Sequence, residues 1–210
     1  LSKLRPLSGY IDIRFTVVNG RTRRNVSISD TRNNRQMHLR LAGSLATKPN
    51  VKKFIEHLLG IVDAGDVCVF AGSLPDGSYA DEIVSAVWDC KAKEAEIVLD
   101  SSGKLFSRLI DTKQVDIISP NIQELAELVG TRVKPEINTV TRAARKMLEK
   151  VNTVIVSMDA AGALLVNRDG YWHSELKGVP MPVIKTVGCG DNLLAGIIAG
   201  MHEDPDPGYA

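Results

Sequence analysis

Four short runs rich in β-branched residues, Val67 to Ala71, Ile97 to Asp100, Val115 to Ser119 and Val154 to Ser157, are separated by stretches of helical spacing. Within Val51 to Val62, Tyr79 to Ala92, Ile122 to Val129 and Val140 to Lys150, apolar residues recur three and four apart, which is one face of an amphipathic helix. Strands that alternate with helices of this length predict βαβ units and a mostly parallel sheet. Leu164 to Val166 and Tyr171 to Leu176, split by the turn residues Asn167 to Gly170, add a later hairpin.

The chain ahead of these units has a different pattern. Phe15 to Val18 and Thr22 to Ile28 flank Asn19-Gly20, and Asn-Gly between two such runs predicts a β-hairpin. Period two then places Arg23, Asn25 and Ser27 on one face of the second strand and Arg24, Val26 and Ile28 on the other. The division expected is a β hairpin with its return segment over 10–42 and an α/β core over 43–210.

Each core strand runs into small and polar residues: Gly72-Ser73-Leu74-Pro75, Asp100-Ser101-Ser102-Gly103, Ser119-Pro120-Asn121 and Ser157-Met158-Asp159. Ligands bind at the carboxyl edge of an open α/β sheet, so these four loops predict a cleft there.

Charge is unevenly spread. Residues 1 to 50 hold ten Lys or Arg against Asp12 and Asp30, a balance of +8, while the rest of the chain balances at −7. A basic patch of this kind attracts nucleic acid, holds a phosphorylated small molecule or simply solvates a hairpin. The longest apolar run, Leu193 to Met201, is about half of the roughly 20 residues that cross a bilayer, and no signal-peptide pattern opens the chain. Cys68, Cys90 and Cys189 form no C-x-x-C pair and are odd in number, which fits a reducing, cytoplasmic setting better than a disulfide framework.

The segment Thr186-Val187-Gly188-Cys189-Gly190-Asp191-Asn192 leads into an apolar helix beginning near Leu193. Glycines before a helix let backbone N–H groups face a ligand, and the helix dipole favours negative charge, so the segment predicts an anion site. Asp191 stands beside it as a base for a hydroxyl that attacks phosphorus, or as a helix cap. The chain has no G-x-x-x-x-G-K-[ST] loop, no protein-kinase signature, no H-E-x-x-H and no G-x-S-x-G. A G-x-G-x-x-G fingerprint fails at Leu193, and His38, His57, His173 and His202 lack ligand spacing.

Six segments in order, Thr22 to Asn25, Gly72 to Pro75, Asp100 to Gly103, Pro120 to Glu124, Ser157 to Val166 and Thr186 to Asn192, resemble the ribokinase-like (PfkB) carbohydrate kinases. The resemblance is to their sugar-phosphate branch, which holds 1-phosphofructokinase, tagatose-6-phosphate kinase and the minor bacterial 6-phosphofructokinase. It implies a three-layer α/β/α sandwich with a mostly parallel sheet and a small β lid. It also implies an ATP- and Mg2+-dependent kinase that moves the γ-phosphoryl group to a primary hydroxyl of a hexose monophosphate.

Carried over by residue, the resemblance makes Asp191 the catalytic base and the backbone of Gly188, Cys189 and Gly190 the anion hole. Asn121 and Glu124 match an N-x-x-E element for magnesium and nucleotide phosphates, with Glu124 toward the metal, though the same spacing is that of a capping box. Ser157 and Gly162 fall on the nucleotide side, and Arg23, Asn25 and Ser73 on the sugar-phosphate side. Cys189 replaces the family's usual alanine and Asp159 its usual glycine. Family members continue beyond both ends of the sequence. A kinase of an unphosphorylated sugar or nucleoside and a non-catalytic phosphate or nucleic-acid binder are the competing readings, and pairing of lids into a homodimer is left open.

Overall fold

The computed structural model describes residues 12–30, 35–40, 43–72, 79–175 and 188–203. Strands β1 (Asn25–Asp30) and β2 (Arg35–Arg40) form a two-stranded antiparallel ribbon. The remaining strands are β3 (Val67–Ala71), β4 (Glu96–Asp100), β5 (Ile117–Ile118), β6 (Thr153–Ser157), β7 (Ala163–Val166) and β8 (Tyr171–Ser174). They make one six-stranded sheet in sequence order, parallel from β3 to β6 and antiparallel through β7 and β8.

Helices α1 (Lys48–Leu59), α2 (Ala80–Ala92), α3 (Lys104–Asp111), α4 (Ile122–Val129) and α5 (Ile137–Met147) cover one face of that sheet, and α6 (Cys189–Glu203) covers the other. Strand parity separates the two layers. Ile97, Leu99, Ile118, Val154, Val156, Leu164 and Val166 pack with the five-helix side, while Val98, Ile117, Ile155 and Leu165 pack with Leu194 of α6. Both sets of side chains are buried, so these strands read as nearly unbroken apolar runs, as central parallel strands do. α3 lies outside the helical stretches read from the sequence, although Leu105, Phe106, Leu109 and Ile110 give its eight residues a clear buried stripe.

The hairpin expectation needs correction. Asn19 and Gly20 form a bend, residues 12–18 form no strand, and β1 pairs antiparallel with β2 instead. The register aligns Val26 with Leu39 and Ile28 with Met37, and alignment of apolar residues on one face outweighs the local preference of an Asn-Gly pair. Residues 12–18 instead run beside α1, where Lys53 Nζ donates to the Val17 carbonyl at 2.9 Å and Thr16 Oγ1 meets His57 Nδ1 at 3.2 Å. Arg23 therefore precedes the strand, and the pleat shared by Asn25 and Ser27 does not set its direction. Among the described residues no helix is long and apolar enough to cross a membrane.

Candidate active site

The carboxyl ends of β3 to β6 lie side by side, and the loops after them are tied together by backbone hydrogen bonds. Gly72 N donates to the Asp100 carbonyl at 2.9 Å, and the buried Ser101 hydroxyl donates to the Gly72 carbonyl at 2.6 Å. Asn121 and Ser157 form a parallel bridge, with Ser157 N donating to the Pro120 carbonyl at 3.2 Å. The start of the Gly72 loop, the Asp100 loop, Asn121 and Ser157 therefore share one edge.

At this edge α4 begins with a complete capping box. Asn121 Oδ1 accepts from Glu124 N at 2.9 Å, and Glu124 Oε2 accepts from Asn121 N at 2.9 Å. The capping role is thus realised, and it occupies a single carboxylate oxygen of Glu124. A cavity of about 260 Å3 opens next to it, lined by Ser102, Lys104, Phe106, Glu124 and Leu128.

α6 starts at Cys189, four residues earlier than the apolar pattern alone places it, so Gly190 and Asp191 lie within its first turn. The first intrahelical bond is Asn192 N to the Gly188 carbonyl at 3.0 Å, and Asn192 Nδ2 donates to the same oxygen at 2.7 Å. The N–H groups of Cys189, Gly190 and Asp191 precede that bond and have no carbonyl four residues back within the helix. Gly188 has φ 85°, a left-handed conformation that favours glycine. Asp191 and Cys189 are exposed.

Asp100 is the site residue that the sequence reading left without a role. Burial holds its carboxyl above the ordinary value of 3.8, and the negative charges of Asp191 and Glu124 raise it further. Residues far apart in sequence thus converge: the end of β4 and the starts of α4 and α6 bring Glu124 and Asp191 within electrostatic reach of Asp100. Its place at the end of a core strand, heading a Ser-Ser-Gly loop, is the signal that would have found it.

A carboxyl raised in this way holds its proton to higher pH when folded than when unfolded. It therefore lowers stability as the pH rises from 3.8 through the folded value, and the loss persists above it. Asp100→Asn is expected to melt higher than wild type at pH 7 in the presence of a chelator, with the gap narrowing as the pH is lowered toward 4. Thermal scans across that range provide the check, and an Asn variant that melts lower at pH 7 contradicts the argument.

Beyond β6, Gly162 has φ 86°, and a Cβ placed there would stand 1.9 Å from the Ser174 carbonyl oxygen. Glycine is required at 162 by the packing of β8 whatever ligand comes near. Asp159 has φ 52°, so the usual glycine at this position answers a backbone demand, and its carboxylate is exposed. Arg23 and Asn25 are exposed in and before the ribbon, and among the described residues Arg23 makes no hydrogen bond or ion pair. Ser73 falls outside the described residues.

Residues 8–207 match the pfkB family of carbohydrate kinases, and the chain belongs to that family. It is 29% identical over 194 residues to 1-phosphofructokinase of Bacillus subtilis, covering 92% of this chain and 61% of that protein. It is 28% identical over 195 residues to tagatose-6-phosphate kinase of Staphylococcus epidermidis, covering 91% and 62%. The tetrameric inhibited form of phosphofructokinase-2 from Escherichia coli superposes with a TM-score of 0.84 at 22% identity, over 97% of this chain and 66% of the other. The fold is therefore ribokinase-like, and the chain spans about three fifths of the length of the curated relatives it matches.

Proposed function

We propose that the protein is an ATP-dependent kinase that phosphorylates a primary hydroxyl of a hexose monophosphate to give a hexose bisphosphate. The observation that carries this reading is that Asp191, at the glycine-flanked start of α6, and Glu124 lie within electrostatic reach of Asp100 at the carboxyl edge of the sheet. The same reaction is the one named for the relatives of the sugar-phosphate branch.

In this reading Asp191 accepts the proton of the attacking hydroxyl, and the N–H groups of Cys189 and Gly190, with the turn at Gly188, face the transferring phosphoryl group. Backbone donors perform this task, so a thiol in place of a methyl group at 189 leaves it intact. Asn121, Glu124, Ser157 and Gly162 flank the nucleotide, and Arg23, Asn25 and Ser73 the sugar phosphate. Bound Mg2+ supplies neutralisation of the phosphate oxygens. Such an ion takes one or two carboxylates and completes its shell with phosphates and water. Glu124, with one oxygen outside the capping box, is the carboxylate we assign to it.

Glu124→Gln separates the two roles of this side chain, because glutamine still serves a capping box but carries no charge. The magnesium concentration at half-maximal rate is expected to rise while the melting temperature barely moves. An unchanged magnesium dependence returns Glu124 to capping alone.

The reaction is tested by ADP release from the full-length protein with fructose 1-phosphate, fructose 6-phosphate, tagatose 6-phosphate and unphosphorylated fructose. Arg23→Ala is expected to lower kcat/KM for the phosphorylated sugar about 10-fold to 150-fold, the worth of one charge-assisted hydrogen bond of about 1.5–3 kcal/mol, chiefly through KM. A preference for unphosphorylated sugar, or an Arg23→Ala variant with unaltered phosphate preference, replaces this reading with the sugar-kinase one.

We assign residues 10–42 to a lid over the 43–210 core, and the protein to the cytoplasm. A two-stranded ribbon is marginal by itself, and Val26, Ile28, Met37 and Leu39 on one of its faces are 47–58% exposed. A second lid is the occupant we assign to that face, giving a homodimer that sedimentation would register as twice the monomer mass.

A further inference from the structure

We propose that Cys68 and Cys90 are a dithiol pair that a peroxide converts to a reversible disulfide tying β3 to α2. Cys68 is the second residue of β3 and Cys90 lies in the last turn of α2. Both side chains enter the same apolar cluster beneath the five-helix layer. In the β3–β4 register Cys68 lies beside Ile97, and two residues before Ile97 the N–H of Ala95 donates to the Cys90 carbonyl at 3.2 Å, so residues 22 apart in sequence bring their thiols within reach of each other. A buried cysteine by itself behaves as a small apolar side chain, and the pairing is what distinguishes these two. An S–S bond is about 2.05 Å long, and closing it here takes side-chain rotation with an approach of α2 to β3.

Access is asymmetric. Cys90 is fully buried, whereas Cys68 is 9% exposed on a strand whose outer edge pairs with no other among the described residues. The oxidant therefore meets Cys68 first. Its thiolate attacks one oxygen of hydrogen peroxide, the O–O bond breaks, and the departing hydroxide takes up a proton as water, leaving a sulfenic acid. The Cys90 sulfur then attacks the Cys68 sulfur, the S–O bond breaks, and a second water leaves with the remaining proton. Two thiols lose two electrons and one peroxide becomes two waters. An added dithiol reverses the change.

Burial sets the pace of this chemistry. It raises the Cys68 thiol, helped by Asp66, and pushes Cys90 up to about 12, with Cys68 and Asp89 adding to the rise and Lys93 opposing it. Thiolate is therefore scarce at neutral pH, and oxidation accelerates as the pH rises. The ring closed by the bond contains Gly72 and Ser73, so the oxidised protein holds the β3 to α2 connection more tightly.

The test treats the folded full-length protein with hydrogen peroxide at pH 7 and pH 9, followed by alkylation and trypsin. No Lys or Arg lies between Phe54 and Cys90, so one tryptic peptide ending at Lys91 carries both cysteines and excludes Cys189. That peptide is expected to become lighter by two hydrogen atoms and to resist alkylation, faster at pH 9. Reduction restores it, and the oxidised protein melts several degrees higher. Cys68→Ser and Cys90→Ser each abolish the change, and the wild-type peptide is informative even if a variant fails to fold. A peptide that stays fully alkylatable, one that gains oxygen instead, or an oxidised protein that melts lower overturns the proposal.

Discussion

Asp191→Asn is expected to lower turnover about 100-fold to 10,000-fold while leaving the fold and nucleotide affinity in place, the range for loss of a general base. The residue is exposed and lies in the first turn of α6 rather than ahead of it, so it does not occupy the capping position. Its favourable placement against the helix dipole contributes about 0.3–1 kcal/mol, and the substitution should scarcely move the melting temperature. Steady-state rates beside a thermal scan distinguish the two roles. Near-normal turnover with a lowered melting temperature would leave Asp191 a structural residue and would remove the base from the proposed reaction.

The largest expected loss of stability lies at the opposite end of the sheet. Asp116 immediately precedes β5, and its carboxylate accepts from Lys91 Nζ at 2.6 and 2.7 Å, from Ile97 N at 2.8 Å and from Asn152 Nδ2 at 3.0 Å. Its main chain continues the junction, with Asp116 N donating to the Ile97 carbonyl and both Asn152 N and Thr153 N donating to the Asp116 carbonyl. One side chain thus joins α2 to the starts of β4, β5 and β6. Asp116→Ala leaves a buried Ile97 N–H without its acceptor and strands the Lys91 ammonium. The Lys91 side chain is 35% exposed and can turn partly to water, which places the loss near the lower end of the range for a broken buried pair, about 3 kcal/mol.

For a chain of this size that is a fall of about 6–12 °C in melting temperature. Denaturant titration of wild type and variant measures it directly. A loss below about 1 kcal/mol would show that water replaces the carboxylate without penalty. Activity measured well below the melting point should be retained, because the junction is at the amino edge of the strands and the candidate site at the carboxyl edge.

The sheet and its flanking helices were legible because their signals are local. Val67 to Ala71 and Ile122 to Val129 match the observed β3 and α4 end to end, since apolar period and bounding turn residues agree at both ends. The Asn121 to Glu124 capping box was also readable, being a contact between residues three apart. The ribbon was misplaced because Asn19-Gly20 is a strong local signal for a turn that the pairing of Val26 and Ile28 with Leu39 and Met37 overrules from a distance. The helical onset at Cys189 was read late because glycine and aspartate are poor helix formers, a weak preference that the rest of a 15-residue helix overcomes.

By itself, then, the sequence determined the order of strands and helices, the polar loops at the carboxyl ends, and the glycine-flanked start of α6, each of which depends on neighbours along the chain. Tertiary structure alone decided that Glu124 and Asp191 act on Asp100 and that Asp116 joins three strands to α2. Cys68 and Cys90 likewise meet only when α2 folds back on β3. Charge and contact depend on distance in space, and a parallel sheet brings together residues that its crossovers separate by tens of positions.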